Sequence, residues 1–251
     1  MKVKSFIAAL LLMVAGLQTV SAQMVVLHMA DNQTFECSIS QLDSITFDDH
    51  EYVDLGLPSG TLWATCNVGA NSPEEYGDYF AWGETEPKSN YDYSTYQWCN
   101  GSYNTITKYC QKSDYSNYGN NGFTDTLTEL LPEDDAATAN WGSGWQMPSF
   151  DQITELYNSD YTTTEWTTLN SVNGRKITSN SNGNSIFLPA AGRHRGSDLN
   201  DAGNHGNYWS RSLNTDYSNY AYYLNFYSSS IDWGYAGHRC YGFSVRPVRK
   251  Q

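Results

Sequence analysis

Hydrophobic and polar positions along this chain follow three different rhythms. Phe6 to Leu17 is an apolar stretch behind Lys2 and Lys4, and Val20-Ser21-Ala22 places small residues just before Gln23. That pattern is an export signal cut after residue 22. The stretch is shorter than the roughly 20 residues a membrane-spanning helix needs, and no later run approaches it. The rhythm then becomes short and alternating. Val25 to Met29, Thr34 to Ile39 and Ile45-Thr46-Phe47 read as three strands of a small β module at 23–50, too small to bury a core alone. A larger domain is expected over 51–251. Its first two strand-like runs, in YVDLGLPSGTLWATCNVGA, meet at the turn Pro58-Ser59-Gly60.

Helical spacing is confined to two places. Pro132-Glu133-Asp134-Asp135 ahead of Ala136 to Ala139 predicts a first turn rich in acids. In MPSFDQITELY, Ser149 and Gln152 form a capping box and Phe150, Ile153, Leu156 and Tyr157 mark one face. Strand-like runs follow at 164–169 and 175–178, with Asn173-Gly174 as the expected hairpin turn. Further runs are Asn184 to Ala190, Tyr208 to Leu213, Ala221 to Ser228 and Gly242 to Val248. Few helices and many strands make the fold class α+β with antiparallel sheets. Residues 87 to 126, rich in Tyr, Asn, Ser and Gly, form a long loop region.

Composition narrows the partners. The 251 residues carry a formal charge of -13; losing residues 1–22 removes Lys2 and Lys4 and no acid, which moves it to -15. Such a surface repels phosphate backbones, so no nucleic-acid partner is expected, and no membrane-spanning segment either. With 20 Tyr and 8 Trp against sparse Leu, Ile and Val, the core is expected to be aromatic and bounded by polar loops. Trp63, Trp82, Trp141, Trp145 and Trp209 are assigned mainly to it. Cys37, Cys66, Cys99, Cys110 and Cys240 all survive signal removal, and the short Cys99/Cys110 separation makes that pair the disulfide candidate.

Candidate chemistry is thin. His194 between Arg193 and Arg195 lacks carboxylates or thiols at ligand spacing, and Glu133-Asp134-Asp135 lacks a calcium-loop pattern. No metal, no cofactor and no catalytic residue is expected. The stretch 214–241 is different, because Tyr alternates there with Ser, Asn and Asp. Tyr offers rigid contact area and Ser and Asn offer adaptable hydrogen bonds, the composition of antibody-like binding faces. A tyrosine-rich sheet without a ligand is the equal alternative. The candidate ligand-binding residues are Tyr217, Tyr220, Tyr222, Tyr223, Asn225, Tyr227, Asp232, Trp233, Tyr235 and His238. Strand alternation lets only about half of them face outward.

GTLWATCNVGA, YGDYFAWGE, PEDDAATANWGSGWQMPS, NSIFLPAAG, YWSRSLN and GFSVRPV, in this order, resemble the Fibrobacter succinogenes major paralogous domain family of secreted proteins from gut and rumen Bacteroidetes. The resemblance covers roughly 51–249. It implies a C-type-lectin-like fold, shared with formylglycine-generating enzymes and retroelement-diversified proteins, in which Gly242 to Arg246 closes the domain against its N-terminal strand. Gln146 stands where that superfamily's helix-start motif usually has Arg. In the diversified proteins the variable residues precede the last strand on the ligand face, as 214–241 does here. Retroelement diversification and ordinary divergence both remain open for that stretch. The expected function is an exported, periplasmic, cell-surface or secreted, non-catalytic protein binding a protein or glycan ligand. A structural envelope-assembly role is one alternative. An oxidase like the formylglycine-generating enzymes is another, and it requires a second thiol near Cys240. The Glu-Pro-Asn or Gln-Pro-Asp and Trp-Asn-Asp motifs of calcium-dependent lectins are absent.

Overall fold

A computed structural model describes residues 24–28, 34–38, 50–111 and 123–250, and the chain divides into two units, Met1–Phe47 and Asp48–Gln251. In the first unit, β1 (Met24–His28) pairs antiparallel with β2 (Thr34–Ser38), in the register Met24↔Ser38 to His28↔Thr34. The third expected strand, Ile45-Thr46-Phe47, lies outside the described residues.

The second unit is α+β, with short helices set among antiparallel sheets. β3 (Tyr52–Asp54) and β4 (Thr61–Ala64) flank the expected Pro58-Ser59-Gly60 turn, where Gly60 N–H donates to Leu57 O. The closing strand, β13 (Val248–Lys250), pairs with the other edge of β4. Gly242 to Arg246, expected to be the closing strand, instead makes isolated bridges, including Phe80↔Phe243 and Tyr208↔Ser244. β5 (Thr162–Leu169), β6 (Val172–Ser179) and β7 (Ser185–Pro189) form a second sheet; β8 (Arg193–Arg195) and β9 (Asp198–Asn200) form a hairpin. β10 (His205–Leu213), β11 (Tyr220–Tyr227) and β12 (Ser230–His238) form the sheet that matters most for function. Among the described residues, no helix is long and apolar enough to cross a membrane.

The two helices start for local reasons. α2 (Phe150–Tyr157) opens on the predicted box: Ser149 Oγ accepts from Gln152 N–H at 3.1 Å and Gln152 Oε1 accepts from Ser149 N–H at 2.8 Å. The acidic run upstream behaves differently from expectation. Pro132–Asp134 makes only a 3-10 turn, and α1 (Ala136–Trp141) begins after it. Asp135 is its N-cap, accepting from Ala137, Thr138 and Met147 N–H, while Asp134 is buried against Lys108 and Tyr109. The β5–β6 turn is also corrected. Asn170 and Ser171, at φ 48° and 70°, make it, as a two-residue hairpin with both centres left-handed requires. Asn173 and Gly174 sit inside β6, where Gly174 leaves room for the neighbouring strand: a Cβ there would lie 2.4 Å from Leu188 O.

β11 is the middle strand of its sheet and is covered on both faces. Ala221 and Tyr223 enter one core with Trp82, Trp209 and Phe243, and Leu224 and Phe226 enter a second with Trp63, Ile153, Leu188 and Tyr208. Trp63, Trp82, Trp145 and Trp209 are all fully buried. The Phe226 ring lies over its cross-strand partner Gly206, so close that a Cβ on Gly206 would sit 2.1 Å from Phe226 Cζ.

Irregular chain between these elements carries many carbonyls that need donors. Two buried arginines supply them. Arg246 donates to Asn67 Oδ1 and to the carbonyls of Ala64, Thr65 and Phe187. Arg239 donates to Tyr96 Oη and to the carbonyls of Lys108, Tyr109 and Ser218.

Arg246→Lys is expected to lower unfolding stability by at least about 3 kcal/mol, since an ammonium cannot reach these acceptors together and each stranded buried carbonyl costs ~1–3 kcal/mol. Gly206→Ala should cost about 1–3 kcal/mol through overpacking. Chemical denaturation of each variant measures both.

Candidate functional site

The loop after β10 is shaped by one asparagine. Asn214 Oδ1 accepts from Asp216 N–H and Tyr217 N–H, both at 3.0 Å, while its own N–H donates to Tyr220 O at 3.2 Å. This Asx turn folds 214–220 into a tight bulb. Tyr220 N–H closes it on Tyr217 O at 2.8 Å, and the Tyr217 ring is left 46 % exposed.

β11 then carries Tyr220 into the sheet opposite His238 of β12. Their rings lie 4.4 Å apart at 31°, and Tyr220 Oη is 3.2 Å from His238 Nε2. On the other side of the imidazole, Tyr93 Oη lies 3.0 Å from Nδ1 and donates its single proton to Asn219 O at 2.9 Å. Nδ1 must therefore carry the imidazole proton, and Tyr220 donates to Nε2. Tyr103, 42 % exposed, packs its ring 6.3 Å from that of Tyr93. The result is an open groove of about 520 Å³, walled by Tyr103, Tyr217, Tyr220 and His238, with Asn214, Asn219 and Ala236 completing the lining.

Its floor is stiff. Asn219 is only 4 % exposed, and its backbone carbonyl also accepts from Arg239 N–H. Directly beneath, the Arg239 guanidinium holds Ser218 O and lies 4.7 Å from the Trp82 ring centre. By contrast, Asn219 Oδ1 is buried without a hydrogen-bond partner among the described residues.

Of the ten residues expected to bind ligand, the fold brings Tyr217, Tyr220 and His238 to this groove. Tyr222 shares their strand face but is half-buried with its ring 4.4 Å from Phe150. Tyr223 and Asn225 are buried, Tyr223 against Trp209 and Phe243, and Asn225 with Nδ2 on Asn207 Oδ1. The expectation that these two face a ligand is corrected, because the centre of β11 is packed on both faces, with Tyr223 in one core and Leu224 and Phe226 in the other. Tyr227 stacks on His205 at the far end of β11, seven residues from Tyr220 and so about 23 Å away at strand rise. Tyr235 is 50 % exposed on the opposite sheet face, opposite Tyr223. The side chains of Asp232 and Trp233 lie outside the described part of the structure. Tyr93, Tyr103, Asn214 and Asn219 were missed by sequence reasoning; the Tyr- and Asn-rich 87–126 loop region was the available cue for the first two, and the already marked 214–241 stretch for the asparagines.

The fold brings further thiols to Cys240. Cys99, Cys110 and Cys240 join one cluster with Tyr91, Tyr96 and Ile106, although only Cys240 is near the last strands in sequence. Cys99 Sγ donates to Tyr93 O at 3.1 Å. Burial pushes the Cys240 thiol up to about 12 and raises Cys99 as well, so neither is a thiolate near neutrality.

The chain matches no protein-family model, no curated protein and no solved structure.

Burial, aided by Arg195, holds the His238 imidazole below its ordinary value of 6.5. Nitrogen-detected NMR should show the Nδ1–H tautomer and a titration midpoint under 6.5. The sign follows: as pH falls below 6.5 the unfolded chain takes the proton first, so stability declines through the lower folded midpoint. His238→Gln should remove that share of the decline in a pH series of thermal melts.

Proposed function

We propose that this chain is an exported, non-catalytic binding protein that presents the Tyr217–Tyr220–His238 groove to a ligand at the cell surface. The scaffold in this reading is the C-type-lectin-like fold of the Fibrobacter succinogenes major paralogous domain family. One observation carries it: an aromatic, uncharged concavity lies on a floor that packing holds rigid. Grooves of roughly 300–1,000 Å³ with a few convergent polar groups are the usual form of ligand sites, and a volume of about 520 Å³ falls inside that range. Tyr217 and Tyr103 offer large rings at little cost in lost rotation.

What supports binding over oxidation is the state of the thiols. A nucleophilic or copper-binding cysteine needs thiolate character and access. Cys240 is 1 % exposed with its thiol pushed up to about 12.

The test is capture by residues 23–251 on arrays of glycans and cell-surface proteins, compared with a Tyr103→Ala/Tyr217→Ala double variant. Both rings are substantially exposed, so melting should shift by no more than about 0.5 kcal/mol in stability terms. Capture should fall at least tenfold, the loss expected when aromatic anchors are removed. Undiminished capture by the variant places the ligand elsewhere.

A further inference from the structure

The tyrosine and imidazole chain in the groove wall has a second arrangement of its protons. Resting on the reading that this groove is the ligand site, we infer that it is a proton-coupled anion site, which takes up a carboxylate group together with one proton on His238 and releases both as the pH rises.

The heavy-atom positions fix what protonation does. In the neutral ring Nδ1–H donates to Tyr93 Oη, whose own proton goes to Asn219 O, and Tyr220 Oη donates to Nε2 at 3.2 Å. A second ring proton can be added only at Nε2, where it points at Tyr220 Oη. An imidazolium has two donors and no acceptor, so Tyr220 must change from donor to acceptor. A phenol proton lies near the ring plane, and its other position there points away from the imidazole. Among the described residues, Tyr220 Oη has no hydrogen-bond partner besides His238. Tyr220 and His238 both line the groove and are only half-buried. The displaced proton is therefore left to whatever fills the groove. No ring has to move, since the same two phenol oxygens serve both states.

The charge that arrives finds no counter-ion in the protein. The groups facing the imidazole are Tyr220 of β11, Tyr93 of the long loop region, and Tyr241 just past β12, its ring 5.2 Å away. Arg195 of β8 opposes the protonation. Arg239, next in the chain, is turned inward to Tyr96, Lys108, Tyr109 and Ser218 oxygens. Among the described residues no acid lines the groove, and Asp92 acts on Cys240. A carboxylate supplies both missing parts: negative charge for the imidazolium, and a charged acceptor for the turned Tyr220 hydroxyl, which makes the stronger kind of hydrogen bond. A neutral ligand gains only the hydroxyl. Carboxylate and proton must then raise each other's affinity by the same factor.

Benzoate is the probe, because its ring suits the tyrosine faces, and benzamide is its neutral counterpart, at an ionic strength held with sodium chloride. Imidazole nitrogen shifts of residues 23–251 follow the His238 midpoint from about pH 5 to about pH 8. Saturating benzoate should raise that midpoint by about one unit, the counterpart of binding about tenfold tighter below the midpoint than above it. Benzamide should leave it in place. The Tyr220 phenol carbon should move at the same midpoint, in the sense of a lost donor bond. Tyr217→Ala should shrink the benzoate shift, and His238→Gln should lose the tenfold gain at acid pH. Thermal melting checks that His238→Gln is folded, and the wild-type shift is decisive without it.

A midpoint unmoved by benzoate, or moved equally by benzamide, overturns the inference, as does a neutral ring that carries its proton on Nε2. Tyr217-dependent benzoate binding that is equal on both sides of the midpoint also overturns it, while the groove then stands as a ligand site. The binding reading falls separately, if array capture is indifferent to the Tyr103→Ala/Tyr217→Ala pair.

Discussion

Everything in the larger unit depends on burying guanidinium groups that have no carboxylate partner. Removing a cation from water is costly unless polar groups replace its hydration, and here backbone carbonyls do so. Arg246 is 1 % exposed and Arg239 is fully buried. A guanidinium presents five N–H donors in a fixed plane, so one side chain can satisfy carbonyls from segments with no ladder between them. Arg246 ties the chain after β4 to β7 and to Asn67; Arg239 ties the 96–109 region to the start of β11. Loops in compact domains normally stay at the surface because their polar backbone cannot otherwise be satisfied. These arginines are what allow such chain to be buried.

That constraint reaches the groove directly. Arg239 follows His238 in sequence and holds Ser218 O, next to Asn219, while its guanidinium lies against the Trp82 and Tyr96 rings. The groove wall, its floor and the buried cation therefore form one continuous packing unit. The Tyr93–His238–Tyr220 relay adds three polar contacts that fix ring orientation as well as position. A rigid aromatic floor of this kind loses little freedom when a ligand arrives.

The division of β11 between two cores explains why a tyrosine-rich stretch has two fates. Its ends, Tyr220 and Tyr227, are half-buried and aromatic-stacked, whereas Tyr223 to Phe226 are core. Polarity at the centre is retained only where a partner exists, as with Asn225 on Asn207. Tyrosine fits both settings, since its ring packs like phenylalanine and its hydroxyl accepts or donates at the boundary. The same economy appears in Cys110 and Cys240, which pack as small core residues beside Tyr91 and Tyr96.

Local chemistry determined what the sequence could show by itself. The α+β class, the Pro58-Ser59-Gly60 turn, the Ser149/Gln152 box and the aromatic core follow from period, propensity and capping within a few residues. So does the unusual character of 214–241. Tertiary structure decided what local patterns cannot encode. Asn173-Gly174 resembles a hairpin turn, yet close packing against β7 claimed the glycine and Asn170-Ser171 took the turn. Asp134 and Asp135 look alike in sequence, but one is buried beside Lys108 and the other caps a helix. Alternation suggested that half the tyrosine ladder faces water; a second covering layer, invisible to any period-two pattern, buried the middle of β11. Tyr93, Tyr103 and Asn219 meet His238 across more than a hundred residues, or across one sheet register, because the buried arginine between them fixes where those segments lie.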